Sequence, residues 1–285
     1  MKQLIKPAYE LRVNAPYTLS YDKLTREALR LGYETFKDNK SAIPSTVNIE
    51  SKGVVKASNW YFANIIANNI TKITGRRIHP MNAREVQLFL KYNLLQDANE
   101  TYDDEGFVFY PDIKVNPNIH KHILEQLQSD EFKNKFNIDL KKPFLLTNSV
   151  NVFPDDNYEN GLGVDLNEFS EVYNHDSLLK GGNFDLGDLG LIKDGLPSKL
   201  GKGSKTLHVA NDGVRRFYRD RDLDLDARVD GLADSDDTGR VRLVENFSSE
   251  NDGLISKLEE EKQKQIRDLE EKVQGKIKQI QNITL

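Results

Sequence analysis

The chain has 285 residues, enough for one large domain or two of ordinary size. Hydrophobic residues make up 38% and charged residues 30%, and a net charge of -5 excludes a uniformly basic nucleic-acid binder. The absence of cysteine excludes disulfides, zinc fingers, iron–sulfur ligation and thiol nucleophiles, and no apolar run approaches the ~18 residues of a membrane helix.

The opening MKQLIKPAYELRV carries lysines with no continuous apolar stretch behind them, so it does not read as a secretory signal. A cytoplasmic protein is expected, or one incorporated into a particle assembled in the cytoplasm, with no membrane insertion.

Residues 1–150 read as an α-rich α+β domain. Over 21–37, Leu24, Ala28, Leu31 and Phe36 fall near helical spacing, with Ser20 as the N-cap. Residues 56–74 carry Trp60, Phe62, Ile65, Ile66, Ile70 and Ile73, and Gly75 suits the C-terminal cap. Residues 82–97 repeat the pattern with Val86, Leu88, Phe89, Tyr92 and Leu95. A fourth helix over 116–136 starts at Asn116-Pro117 and buries Ile119, Ile123, Leu124 and Leu127. Two strand-like runs, 107–115 (FVFYPDIKV) and 144–153 (FLLTNSVNVF), add a small sheet.

Residues 151–250 differ in chemistry. They hold 12 of the 18 glycines and 21 acidic against 12 basic residues, a balance of -9 that leaves +4 for the remainder. Turns are frequent and apolar residues sparse, so a loop-rich region with short strands is expected, leaning on its neighbours for stability. Leu223 and Leu225 alternate with aspartates, the period of a strand with one wet face, and 240–244 reads as another strand. Asp is a poor strand former, so such a strand needs support.

Residues 251–285 read as a long amphipathic helix and a candidate coiled coil. Asp252 can cap it, and Ser256 with Glu259 matches a capping box. The apolar positions Ile266, Leu269, Val273, Ile277 and Ile280 run with gaps of three, four, four and three, close to an 11-residue period. Charge pairs such as Glu260 with Lys264 support a helix by about 0.3 kcal/mol each and cannot hold two together. The stripe therefore marks an oligomerisation surface.

The strongest local pattern for a ligand is acidic. Asp234, Asp236, Thr238 and Glu245, with Gly239 between, match a calcium loop: oxygen ligands at alternate positions, a glycine at the turn and a closing glutamate. An overlapping run, Asp226, Asp230-Gly231, Asp234 and Asp237, resembles the acidic repeats of thrombospondin type 3 modules, with Arg228 standing at one ligand position. That resemblance implies calcium as a candidate ligand. No cofactor is required by anything else in the chain.

Residues 195–206 (GLPSKLGKGSKT) fail the spacing of a phosphate loop and read as a basic loop. Arg76 and Arg77, ahead of His79, form a basic turn that could meet phosphate or nucleic acid. Arg215-Arg216-Phe217-Tyr218-Arg219 run into Asp220, Asp222, Asp224 and Asp226, a pattern that favours ion pairing, internal or between subunits, over nucleic-acid contact. His120 and His122 lie two apart on a helix and point in different directions. Structural roles are expected for these two and for His79, His175 and His208.

No stretch carries a complete catalytic signature, and no enzyme is expected. A structural or adaptor protein of a homo-oligomeric or multi-component assembly is the favoured reading, its partners being itself or other assembly subunits. A phage virion component, such as a connector or capsid-associated protein, fits that character. The alternatives are a calcium- or ligand-binding module on a helical stalk, and a nucleic-acid-associated protein acting through its N-terminal helices.

Overall fold

The computed structural model describes residues 23–37, 39–45, 47–49, 55–75, 78–91, 95, 98–111, 117–147, 149–167, 170–188, 194–228, 231–235, 238–245 and 273. Contacts divide the chain into two units, Ile5–Asn246 and Phe247–Leu285 with Met1–Leu4. Every element below belongs to the first. Ser20, Asp252 and the stripe 266–280 apart from Val273 lie outside the described residues.

Helix α1 (Lys23–Phe36) buries Ala28, Leu29 and Phe36 and leaves Glu27, Arg30 and Glu34 as an exposed charged row. A two-residue pair, β1 (Asn48–Ile49) and β2 (Val55–Lys56), precedes α2 (Trp60–Thr74). Helix α2 is capped at both ends by its own sequence. The Asn59 side chain accepts the Phe62 N–H at 2.8 Å, and Gly75, at φ 68°, donates its N–H to the Thr71 carbonyl at 2.8 Å.

Helix α2 is buried almost all round, which makes it a central helix rather than a surface one. Its asparagines explain how polar groups survive there. Asn59 donates to the Ser41 and Ala233 carbonyls, Asn68 to Val150 and Asn69 to Ala28, each at 2.8–2.9 Å. Asn64 donates to Trp60 and receives the Ser149 N–H at 3.2 Å. Each side chain thus satisfies a backbone group on a neighbouring segment, as buried polar atoms require.

After β3 (Ile78–Pro80) and α3 (Ala83–Lys91) comes β4 (Asp103–Phe109), the strand on which the fold is organised. All seven of its residues are buried. Side chains alternate across a strand, so Phe107 and Phe109 enter one hydrophobic cluster while Val108 enters another. Phe107 stacks on Trp60 of α2 with centroids 3.8 Å apart, and Phe109 stacks on Phe144 at 4.8 Å.

Helix α4 (Pro117–Leu127) and the single turn α5 (Asp130–Lys133) replace the one helix expected over 116–136. Ser129, in extended conformation, breaks the run. Likewise 144–153 forms two strands, β5 (Phe144–Thr147) and β6 (Val150–Pro154), in different sheets. Ser149 sits between them at φ 88°, a conformation that no continuous strand accommodates.

Beyond 154 follow β7 (Leu162–Leu166), β8 (Val172–Asn174), α6 (Ser177–Lys180), β9 (Gly182–Phe184), β10 (Lys205–Val209), β11 (Val214–Arg219), β12 (Leu225–Ala227) and β13 (Leu243–Glu245). The main sheet has the order β8-β5-β4-β11-β12-β10-β9, antiparallel except for the β10–β12 pair. β6 pairs with β7, and β13 with β3.

The chain is therefore α+β, with helices and a mixed sheet. β4 and β5 come from the first 150 residues, and the five other strands of the main sheet from the next 100. The acidic stretch supplies Leu207, Phe217, Leu225 and Ala227 to a shared core, one apolar residue in two along short strands. Among the described residues no helix is long and apolar enough to cross a membrane.

Candidate functional site

Among the described residues, a dense constellation of charged side chains lies where β4 begins and β11 ends. β4 contributes Asp103, Asp104 and Glu105, β11 contributes Arg216 and Arg219, and Arg242 comes from the segment leading into β13. Asp103 binds both Arg219 and Arg242. Arg216 binds Asp104, and the Arg219 Nε stands 3.6 Å from Glu105. Three acids face three arginines, with Arg219 and Glu105 fully buried.

Register explains the placement. Phe217 opposes Gly106 and Tyr218 opposes Asp104, so Glu105 is the extra residue of a β-bulge. Gly106, at φ 155°, permits it, because a Cβ there would run into the Leu146 carbonyl oxygen. The Arg216 guanidinium lies between the Tyr102 and Tyr218 rings, 4.7 and 4.8 Å from their centroids. Arg219 donates to the Ala98 carbonyl at 3.1 Å, and Arg242 to the Thr101 hydroxyl at 2.9 Å. Burial, and then repulsion from Asp104, pushes the Glu105 carboxyl well above the ordinary carboxylate range.

This cluster differs from the expected pairing of Arg215–Arg219 with the aspartates that follow them. Asp220 instead accepts the N–H groups of Asp222 and Asp224 and shapes a turn in which Leu223 has φ 64°. Asp224 accepts the Thr206 N–H at 2.8 Å, and Asp226 holds Arg228. The turn shortens the alternating strand to β12.

A second polar group gathers at β3, α3 and β8. Asn82 and Glu85 exchange hydrogen bonds as a capping box for α3, at 2.9 and 3.0 Å, and the other Glu85 oxygen meets His79 Nε2 at 2.9 Å. Burial lowers the His79 pKa, but attraction to Glu85 and Glu171 outweighs it and leaves the ring easier to protonate than usual. Glu171 is raised by burial and by Glu85, against its hydrogen bond from Tyr173. The group can hold a proton and pins α3 to β3.

Three other histidine rings, those of His120, His122 and His208, meet neighbouring side chains. His120 packs edge-on to Phe109, with burial pulling its pKa down to about 4. His122 meets Asp165 at 3.0 Å, and His208 lies 3.7 Å from Asp224.

Of the acidic loop, Asp236 lies outside the described residues. Asp234 is exposed, its N–H bonded to the Gly231 carbonyl at 2.9 Å. Thr238 precedes Gly239, which bridges to Tyr102, and Glu245 pairs with Ile78 in the β13–β3 ladder. Arg76 and Arg77 lie outside the described residues. Val273, in the expected stripe, is 49% exposed.

Two signals for these groups stand in the sequence. Asn82-Ala-Arg-Glu85 has capping-box spacing, and three consecutive acids, Asp103–Glu105, stand directly before the aromatic run Phe107–Tyr110. Searches against protein-family models, curated proteins and solved structures returned no match.

Proposed function

We propose that this chain is a structural or adaptor protein of a homo-oligomeric or multi-component assembly, joined to its partners through the apolar stripe Ile266, Leu269, Val273, Ile277 and Ile280. The observation that carries the reading is Val273, 49% exposed in the single chain. An aliphatic side chain gains roughly 1.5–3 kcal/mol from full burial, so five at helical spacing favour a partner strongly. Among the described residues, both hydrophobic cores of the first unit are built from positions between Leu24 and Leu243. The buried ion cluster supports a structural role too, since it ties β4, β11 and the segment before β13 together out of reach of solvent.

Size-exclusion chromatography with light scattering tests the proposal. The full chain should exceed its monomer mass of 32.6 kDa, and Val273→Asp with Ile277→Asp should bring it down toward that value. A monodisperse 32.6 kDa species for the unaltered chain at high concentration would overturn the reading.

A further inference from the structure

Between β8 and α6 the chain places a histidine and a serine in direct contact beside a cavity. His175 Nδ1 lies 2.7 Å from Ser177 Oγ and accepts the Ser177 backbone N–H at 3.1 Å. An N–H aimed at Nδ1 makes that nitrogen the lone-pair carrier, so the neutral ring holds its proton on Nε2. Nε2 in turn stands 4.0 Å from Asp194 Oδ2. Asp194 is buried and held by the Leu196 N–H, which donates to its other oxygen at 3.0 Å. Gly195, next in the chain, has φ 74°, and a Cβ there would strike the backbone of Ala83 and Arg84, so glycine lets this segment lie against the start of α3.

The polarity runs one way. The imidazole lone pair and the hydroxyl are in direct contact, as a base needs to take a proton from a serine, and the Asp194 carboxylate stands on the Nε2 side, too far for a hydrogen bond and able to act through its charge. His175, Ser177, Leu179, Lys180, Pro197 and Leu200 line a cavity of about 360 Å³. That volume sits at the small end for ligand sites, and its lining, to which Asp176 and Ser198 also belong, mixes aliphatic side chains with one ammonium group and one carboxylate.

We propose that Ser177 is an acyl-accepting nucleophile, His175 its general base and Asp194 a positioning residue, with short-chain acyl esters as the substrate class. Ser177 Oγ bonds to the ester carbonyl carbon while its proton passes to His175 Nδ1. The bond from that carbon to the alcohol oxygen then breaks, and the alcohol leaves with the proton from Nδ1. Water, deprotonated by the same nitrogen, releases the carboxylic acid and restores the hydroxyl. Among the residues lining the cavity, Lys180 carries the positive charge an oxyanion calls for, and Asp176 a negative charge that opposes it. This activity stands apart from the assembly reading and departs from the expectation of a protein without chemistry.

The same two hydrogen bonds also close the turn that starts α6, and the test must separate that role from catalysis. His175→Asn keeps an acceptor near the Ser177 N–H but provides no base. Asp194→Asn keeps the acceptor for Leu196 and removes only the charge. The intact chain is treated with a small alkyl fluorophosphonate, the modified residue is located by mass spectrometry, and p-nitrophenyl butyrate hydrolysis is followed in parallel. Ser177 should be labelled, and His175→Asn should slow labelling and hydrolysis at least about 100-fold with Tm unchanged. Asp194→Asn should slow both, with partial rescue by Asp194→Glu. An unlabelled Ser177 in the folded chain, or equal labelling in His175→Asn, would overturn the proposal.

Discussion

Asp103→Asn isolates the energetics of the buried cluster, because it changes one charge and almost no volume. Asp103 is the carboxylate shared by Arg219 and Arg242, whose side chains are 0% and 1% exposed. Removing one partner of a buried pair costs about 3–5 kcal/mol, since the remaining charge has lost both its counter-ion and its water. Two guanidinium groups share the loss here. The Ala98 carbonyl and Thr101 hydroxyl stay in place as neutral acceptors and do not replace the charge. At ~2–4 °C per kcal/mol for a unit of this size, Tm should fall by roughly 6–20 °C. Urea unfolding gives the free energy directly, and the loss should be equal in low and high salt, because ions do not screen a buried pair. Arg242→Met added to Asp103→Asn should recover about 0.5–3 kcal/mol by removing one stranded charge. A cost below about 1 kcal/mol for Asp103→Asn, or a cost that vanishes in high salt, would refute the view that these charges depend on one another.

Glu105 has a raised pKa, so the folded state keeps its proton at pH values where the unfolded chain has lost it. Stability from this group is full below the ordinary value of 4.5 and is lost as pH rises toward the folded pKa. Glu105→Gln removes that titration. Urea unfolding over a pH series should show the variant gaining on the unaltered chain as pH rises, and parallel curves would contradict the assignment. Asn64→Ala strips the acceptor from the Ser149 N–H and the donor to the Trp60 carbonyl. Thermal unfolding should register a loss of about 2 kcal/mol or more, the cost of buried backbone groups left unpaired. An unchanged Tm would mean that water or a small shift replaces the side chain.

The helices were legible because each states itself locally. Trp60–Thr74 carries its apolar run, its Asn59 cap and its Gly75 stop within 17 residues of contiguous sequence, and α1 has its spacing in one stretch. The breaks at Ser129 and Ser149 were not legible. Serine has no strong signal for a stop, and the Ser149 conformation is held by groups distant in the chain, Asn64 and Ser170. The sheet was hidden for a related reason. β8, β9 and β12 have three residues each, too short for a period-two pattern to stand out, and their register exists only against strands remote in sequence. The acidic stretch is poor in apolar residues because it supplies only part of a core whose other members, such as Val108 and Leu145, lie before residue 150.

The ion cluster shows why regional charge misleads. Asp103, Asp104 and Glu105 lie in the first 150 residues, and Arg216, Arg219 and Arg242 in the following 100. Each trio looks like surface charge where it stands, and only the β4–β11 register brings the two together. Setting these six buried residues aside moves the formal balance of 151–250 from -9 to -12, and that of the remaining residues from +4 to +7. The six sum to zero, so their pairing leaves the total unchanged while sharpening the contrast in the charge that is left. In the proposed assembly that arrangement would divide the work: opposite charges would guide encounter and register, and the apolar stripe would supply the affinity. Buried arginine pairs that gain little for stability would then be retained because they fix which strands meet, and with them where the remaining charge is displayed.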